Sequence, residues 1–211
     1  LITLKGAEDA TVQAQQQRLI ACGFRVVLVD GVKGADLAAA DYFKLTSFWF
    51  GKSGKLMTPG ELGCAMSHEK ALRLAATLER GRHLILEDDF IASDAALRWI
   101  ASVQRHIEPG TLLHLGGQEH LPRFYRYIRG QPMGNELSGV SRVDPADLAY
   151  LQCTVAYMLH SETAQALHQL MAAGHFVADN FRYAAQQGAI QQVWFRWVVS
   201  HPTDRDISTI E

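Results

Sequence analysis

The sequence lacks the features that define several protein classes. Its 211 residues contain only three cysteines, Cys22, Cys64 and Cys153, so a disulfide scaffold is not expected and a reducing compartment fits better. No apolar run approaches the roughly 18 residues that a membrane-spanning helix needs. Basic residues are not in excess, since 20 Lys and Arg stand against 22 Asp and Glu. We therefore expect a cytoplasmic protein with no nucleic-acid partner.

The sequence does contain enough apolar material for a sizeable core. Hydrophobic residues make up 48% of it, and no repeat or linker divides it, so residues 1–211 are predicted to form a single domain. Buried strands alternate with helices that begin at capping residues and end at glycines. This alternation predicts an α/β fold with a mostly parallel, Rossmann-like sheet flanked by helices. The residues between 34 and 57 show no clear period and are predicted to form a long loop.

The most informative local pattern is Glu87-Asp88-Asp89, which directly follows the apolar run Leu84 to Leu86. Ligands of open α/β sheets bind at the carboxyl ends of strands. Since side chains alternate along an extended chain, Glu87 and Asp89 can point the same way while Asp88 points elsewhere. Such a pair suits Mg²⁺ or Mn²⁺ shared with a diphosphate. The alternative interpretation is a solvated strand end with a helix-capping aspartate.

A second group of polar residues lies on one face of a helix predicted from Thr58 to about Gly81. Glu61, Cys64 and His68 are three and four residues apart. A zinc site is conceivable but has no recognisable fourth ligand, and a Cys–His pair on one helix rarely reaches catalytic geometry. The more ordinary interpretation buries Cys64 and lets Ser67 and His68 line a pocket.

Three further features of the sequence each allow more than one interpretation. His201 follows an apolar strand and could supply a nitrogen ligand, although an exposed loop histidine is the alternative. The acid pair at 204–206 is interrupted by arginine and fits a surface turn better than a metal site. The stretch 123–129 interleaves three arginines with aromatic residues. This pattern could bind a phosphate, a lipid headgroup or RNA, including a peripheral contact with anionic lipid at the inner membrane, and the alternative is an edge strand with solvated arginines.

Five sequence blocks, taken in order, carry a resemblance to a known family. They are TPGELGCAMSHEKAL (58–72), LILEDDF (84–90), LLHLGG (112–117), AYMLHSETAQAL (156–167) and ADNF (178–181). Together they resemble glycosyltransferase family 25, which includes bacterial lipooligosaccharide galactosyltransferases and the collagen galactosyltransferase domains of animals. The resemblance implies a GT-A fold, a UDP-sugar donor (usually UDP-galactose), dependence on Mn²⁺ or Mg²⁺, and inversion at the sugar carbon. It also implies a glycan acceptor in lipooligosaccharide or lipopolysaccharide biosynthesis.

The resemblance also assigns roles to residues of this chain. The implied metal ligands are Glu87, Asp89 and His201. The implied donor contacts are Glu61, Ser67, Asp88 and Asn180. The implied catalytic base, which takes the proton of the attacking hydroxyl, is Asp179 or, as second candidate, His68.

One departure from the family pattern supports an alternative function. Family members usually open with Ile-Asn-Leu, whereas this sequence reads Ile2-Thr3-Leu4. The alternative is a catalytically silent GT-A-like domain with a binding or regulatory role. The intact carboxylates at 87–89 argue against it. A metal-dependent phosphoesterase is a third interpretation, but the further His and Asp ligands of a two-metal centre are missing at recognisable spacing.

Overall fold

A computed structural model of the chain describes residues 1–119, 128–134 and 137–202. The strands are β1 (Ile2–Thr3), β2 (Val29–Asp30), β3 (Arg82–Leu86), β4 (Thr111–Gly116), β5 (Gly130–Pro132), β6 (Ser141–Val143), β7 (Ala156–His160) and β8 (Gln192–Val199). The α-helices are α1 (Ala10–Ala21), α2 (Ala39–Ser53), α3 (Pro59–Thr77), α4 (Asp94–Val103), α5 (Ser161–Ala173) and α6 (Phe181–Gln186). Short 3₁₀ turns lie at Gly34–Asp36, Gln104–His106 and Pro145–Ala149.

Six of these strands form one sheet in the order β3-β7-β4-β8-β6-β5. Among the described pairings of that sheet, β4 with β8 is parallel and the other four are antiparallel. The prediction of a mostly parallel sheet is therefore wrong, because β7 inserts between β3 and β4 and runs against both. Strands β1 and β2 pair in parallel beside this sheet, and Ile2 forms a parallel bridge with Glu87.

The sheet separates two hydrophobic clusters, as the alternation of side chains along its strands requires. Leu112 of β4 packs into the first cluster, which includes residues of α3 and α5. Leu113 and Leu115 pack into the second, which includes residues of α1 and α4. Helices therefore flank the sheet, as predicted, and the carboxyl end of β3 is held between β1 and β7.

Helix α3 begins as its sequence predicts. The hydroxyl of Thr58 accepts a hydrogen bond from the backbone N–H of Glu61, whose carboxylate accepts one from the N–H of Thr58, which is a capping box. The turn at Gly34–Asp36 packs closely on this helix. A Cβ on Gly63 would lie 2.5 Å from the carbonyl oxygen of Val32, so only glycine allows this approach.

Several predicted boundaries differ from the structure. Residues 39–53, predicted as part of a loop, form helix α2. The valine-rich stretch 25–30 contributes only Val29–Asp30 to a strand. Helix α5 is capped by His160, whose side chain accepts a hydrogen bond from the N–H of Glu162. Within the described residues, no helix has the length and apolarity required to span a membrane.

Candidate active site

The three carboxylates that follow β3 diverge. Asp88 turns toward β1 and accepts a hydrogen bond from the Thr3 hydroxyl at 2.6 Å. Glu87 and Asp89 instead converge with His201, which follows β8. One ligand atom from each of these three residues lies within 4.8 Å of the others. Asp88 is thus separated from its two neighbours as predicted, but by a turn rather than by the alternation of an extended chain, since Asp88 and Asp89 lie in a turn whose Phe90 N–H donates to the Glu87 carbonyl oxygen at 3.3 Å.

Asp89 has the environment of a metal ligand. Both of its carboxylate oxygens are buried, and neither has a hydrogen-bond partner of good geometry among the described residues. Nε2 of His201 lies 3.1 Å from Asp89 Oδ2 and provides a charge contact. Since a buried carboxylate without hydrogen bonds is costly, the donor set of two carboxylates and an imidazole fits a divalent cation.

The electrostatics of this cluster favour a positive charge. The neighbouring carboxylate of Asp89 raises the pKa of His201 to about 9, although partial burial opposes the shift. Nδ1 of His201 lies 3.0 Å from the carbonyl oxygen of Pro202, which leaves Nε2 to face Asp89. An interaction of this kind on the far nitrogen is typical of histidines that bind metals.

Glu87 is held by donors from two other elements. Its Oε1 accepts a hydrogen bond from the Thr154 hydroxyl at 2.6 Å and lies 3.1 Å from Nε2 of His68. Nδ1 of His68 lies 2.9 Å from the Tyr157 hydroxyl. Burial alone would raise the pKa of Glu87, but the hydrogen bonds from His68 and Thr154 lower it. Glu87 is therefore kept as a carboxylate in a buried position.

This placement changes the expected role of His68. Its side chain is 1% exposed, and both ring nitrogens face protein partners. An imidazole protonated at Nε2 satisfies both contacts, with Tyr157 donating to Nδ1. The geometry supports a role in holding Glu87, and it offers the predicted base function no access to a substrate hydroxyl.

Next to Glu87 lies a cavity of about 760 Å³. The start of α3 forms one wall, and Gln152, Thr154 and residues 177–179 form another. Thr154 lines the cavity and also donates to Glu87, so the cavity adjoins the acidic cluster. A volume of this size falls within the range of small-molecule sites.

Asp179 lies in the wall of this cavity. Its Oδ2 accepts a hydrogen bond from the backbone N–H of Cys153 at 3.0 Å, and Cys153 has φ 74°, a conformation that non-glycine residues rarely adopt. Burial raises the pKa of Asp179, and the charges of Glu61 and Glu87 raise it further, while the Cys153 hydrogen bond opposes them. A carboxylate with a raised pKa is a stronger base.

Three of the four predicted donor contacts have local structural partners. Glu61 completes the capping box of α3, although it also lines the cavity. Ser67 is buried, donates to the carbonyl of Gly63 and accepts from the N–H of Val32. Asn180 caps α6 by accepting from the N–H of Tyr183. For Ser67 the structure supports a role in the fold rather than in ligand contact.

The remaining sequence candidates have no supported chemical role in the site. Cys64 lines the cavity and lies near His68 and Glu87, but burial raises the pKa of its thiol well above the usual value, which disfavours a thiolate ligand. The arginines at 123 and 126, and the acid pair at 204–206, lie outside the described residues. Arg129 is paired with Asp147, whose Oδ1 lies 2.7 Å from its Nη2.

Comparison with known proteins identifies the family to which this chain belongs. Residues 1–181 match the model of the family described as glycosyltransferase family 25 (LPS biosynthesis protein). The chain belongs to this family, as the sequence resemblance implied. Comparison with curated proteins gave no significant match. Among solved structures, the chain is similar to a mannose-1-phosphate geranyltransferase from Thermus thermophilus, with 16% identity and a TM-score of 0.40. That match covers 92% of this chain and 65% of the other.

Proposed function

We propose that this chain is a glycosyltransferase that transfers a hexose, galactose in the first instance, from a UDP-sugar to a glycan acceptor of lipooligosaccharide or lipopolysaccharide, with inversion at the sugar carbon. The observation that carries the proposal is the convergence of Glu87, Asp89 and His201 beside the cavity that contains Asp179. Family membership supports the reaction class. The same cavity has room for a sugar and an attacking hydroxyl.

The cation, Mn²⁺ or Mg²⁺, would be held by Glu87, Asp89 and His201. When bound, it supplies a Lewis acid that stabilises the negative charge of the departing diphosphate. The strongest support for this assignment is the buried carboxylate of Asp89, which lacks hydrogen bonds within the described residues. Asp88, fixed by Thr3, is proposed to contact the ribose or the sugar of the donor.

Asp179 is proposed to take the proton from the attacking hydroxyl. It fits this role better than His68 because it faces the cavity, whereas His68 is enclosed between Tyr157 and Glu87. The N–H of Cys153 holds one oxygen of Asp179. A fixed base in a cavity wall favours attack from one side, as an inverting reaction requires.

The alternative function is that of a catalytically silent domain. Such a domain would bind the same cation and UDP-sugar but would not transfer the sugar. Against it stands the energetic cost of keeping Asp89 buried without hydrogen bonds. Such a cost is typical of sites retained for function.

The test is UDP release from a panel of UDP-sugars by the purified protein, with Mn²⁺ and with EDTA. We expect slow, metal-dependent hydrolysis of one donor, and its loss in Asp89→Asn. Asp94→Asn is the matched control, because Asp94 pairs with Arg18 on the surface. Binding of Mn²⁺ and UDP without release, even with glycan acceptors, would favour the silent domain. Metal-independent release would refute the metal assignment.

A further inference from the structure

Trp197 is the exposed aromatic side chain of the large sheet. At 39% it is the most exposed of the four tryptophans in the chain, and it belongs to neither hydrophobic cluster. Within the described residues of β4 and β8, no other large apolar side chain is exposed. One exposed ring is too small for a stable protein interface, which buries about 1,000 Å² or more, but its size matches the face of one sugar ring.

A bulge in β8 brings Trp197 out of the regular sheet. His114 pairs with Phe195, and Gly116 pairs with Val199, so one residue of β4 lies opposite three residues of β8. Bulges often occur next to active sites, where they redirect a side chain.

Two contacts fix the pyrrole edge of the Trp197 indole. Its Nε1 donates a hydrogen bond to Oε1 of Glu119 at 2.9 Å. The adjoining Cδ1 lies close to Gly116, since a Cβ on that glycine would be 3.1 Å from it. The exposed area therefore belongs to the rest of the indole. A ring held in this way loses little conformational freedom when a ligand stacks on it.

The bulge lies at the same end of the sheet as the acidic cluster. The N–H of Glu87 donates to the carbonyl oxygen of Val155 at 3.0 Å. A Cβ on Gly117 would be 2.6 Å from Cγ1 of Val155, and the N–H of Gly117 donates to the carbonyl oxygen of Val199 at 3.0 Å. The carboxyl ends of β3, β4 and β8 thus meet in one row, and His201 follows Val199 by two residues.

Gln118, which precedes Glu119, has a side chain suited to sugar hydroxyls. It is 0% exposed, and neither its amide nitrogen nor its amide oxygen has a hydrogen-bond partner among the described residues. A buried polar group without a partner needs an explanation. A carboxamide offers both donors and an acceptor, which are the groups that hydroxyls pair with, so the chemistry beside Trp197 favours a carbohydrate.

We propose that Trp197 is a stacking platform for a pyranose ring of the glycan acceptor and that Glu119 holds it in position. The C–H groups on one face of a pyranose carry partial positive charge, whereas the face of an indole is negative. An aromatic wall with a few polar groups beside it is typical of small-molecule sites.

The position of Trp197 favours the acceptor over the transferred sugar. Trp197 does not line the cavity that contains Asp179, where the proposed function places the reaction. It precedes His201 by four residues, which is at most about 13 Å of extended chain or roughly two to three linked hexoses. The assignment to the acceptor rests on the proposed function, whereas the stacking of a pyranose ring does not.

The test is a titration of the whole ¹⁵N-labelled protein, followed by NMR of the tryptophan indole N–H signals. The probes are lactose and the methyl β-glycosides of galactose, glucose and N-acetylglucosamine. Sorbitol is the matched control ligand, because it has the hydroxyls of a hexose but no ring face. We expect the Trp197 signal, identified by its loss in Trp197→Phe, to move with at least one pyranoside and not with sorbitol.

Variants test the two roles by saturation-transfer NMR of the bound pyranoside. Trp197→Ala should weaken binding by about 10-fold or more, whereas Trp197→Phe keeps a ring and should retain most of it. Glu119→Ala releases the indole and should weaken binding less than Trp197→Ala, and Glu119→Gln restores an acceptor and should rescue it. Phe43→Ala removes a 57% exposed ring from α2 and should bind like the unchanged protein.

Three results would overturn the proposal. The first is that no pyranoside moves the Trp197 signal, and the second is that Trp197→Ala binds as tightly as the unchanged protein. The third is displacement of the pyranoside by UDP-galactose with Mn²⁺, which would assign the ring to the donor sugar. Pyranoside binding at Trp197 in a protein that releases no UDP would support the platform and count against the proposed function, so the two failures are distinguishable.

Discussion

Replacing Thr154 with valine tests the link between the segment that precedes β7 and the acidic cluster. The Thr154 hydroxyl donates to Glu87 Oε1 at 2.6 Å, in a part of the site where Glu87 itself is 5% exposed. Valine has nearly the shape of threonine but cannot donate. The change therefore removes one of the two donors to this carboxylate oxygen and leaves the packing almost intact.

The expected magnitude follows from the charge on the acceptor. A hydrogen bond to a buried charged group contributes about 1.5–3 kcal/mol, so the free energy of unfolding should fall by that amount when no metal is added. Groups that orient a metal ligand typically change metal affinity by about 10- to 100-fold. We expect Mn²⁺ binding by Thr154→Val, measured by calorimetry, to weaken within that range.

Two variants separate this effect from general destabilisation. Thr154→Ser keeps the hydroxyl and should retain Mn²⁺ affinity. Thr163→Val removes another buried hydroxyl, which accepts from the N–H of Gly110 at 2.8 Å far from the carboxylates. It should lower stability while leaving Mn²⁺ affinity unchanged. If Thr154→Val bound Mn²⁺ as tightly as the unchanged protein, the proposed support of Glu87 would be refuted.

Three other predictions address the cavity and the packing around it. Glu61→Gln removes a negative neighbour of Asp179 but can still accept the capping hydrogen bond. The pKa of Asp179 should fall, and the acidic limb of the kcat/KM profile should move to lower pH; an unmoved limb would exclude Asp179 as the titrating base. Gly63→Ala places a Cβ 2.5 Å from the Val32 carbonyl oxygen and should cost about 1–3 kcal/mol of unfolding free energy. A Cβ added at Gly51 on α2 would have nothing within 4 Å. Gly51→Ala should therefore raise the free energy of unfolding slightly in the same denaturant titration, because alanine favours the helix more than glycine does. Because desolvation raises the pKa of the Cys64 and Cys153 thiols, both should alkylate more slowly at pH 8 than glutathione, and equal rates would contradict the raised pKa values.

The sequence was sufficient to predict the acidic cluster but not its supports. Glu87 and Asp89 could be found because they are close in sequence and follow an apolar strand, and His201 because it follows a second strand. Thr154 and Tyr157 carry no comparable signal, since isolated hydroxyl residues occur throughout any chain. They reach Glu87 and His68 because β7 pairs with β3 in the register that sets Tyr157 opposite Ile85. That pairing is antiparallel, whereas alternating strands and helices favoured a parallel sheet.

Helix α2 was missed for a different reason. Its sequence, AADYFKLTSFWFGKS, places aromatic residues on both the buried and the exposed sides, so no amphipathic period stands out. Ala38 at its start makes no side-chain cap, and glycine and serine at its end are typical of loops. The exposed phenylalanines, Phe43 and Phe50, are therefore what obscures the helix in the sequence.

The two carboxylates of the proposed metal site differ in how the protein holds them. Oε1 of Glu87 already has Thr154 and His68 as partners, so a cation would compete with both there, and the second oxygen is the better ligand. Asp89 has no hydrogen-bond partner of good geometry among the described residues, and its charge contact is with His201, at Oδ2, so Oδ1 is open to a cation. Loss of Asp89 should consequently abolish cation binding, whereas loss of a partner of Glu87 should only weaken it. This order of effects, Asp89→Asn more severe than Thr154→Val, follows from the geometry and would not follow if the carboxylates merely capped a strand end.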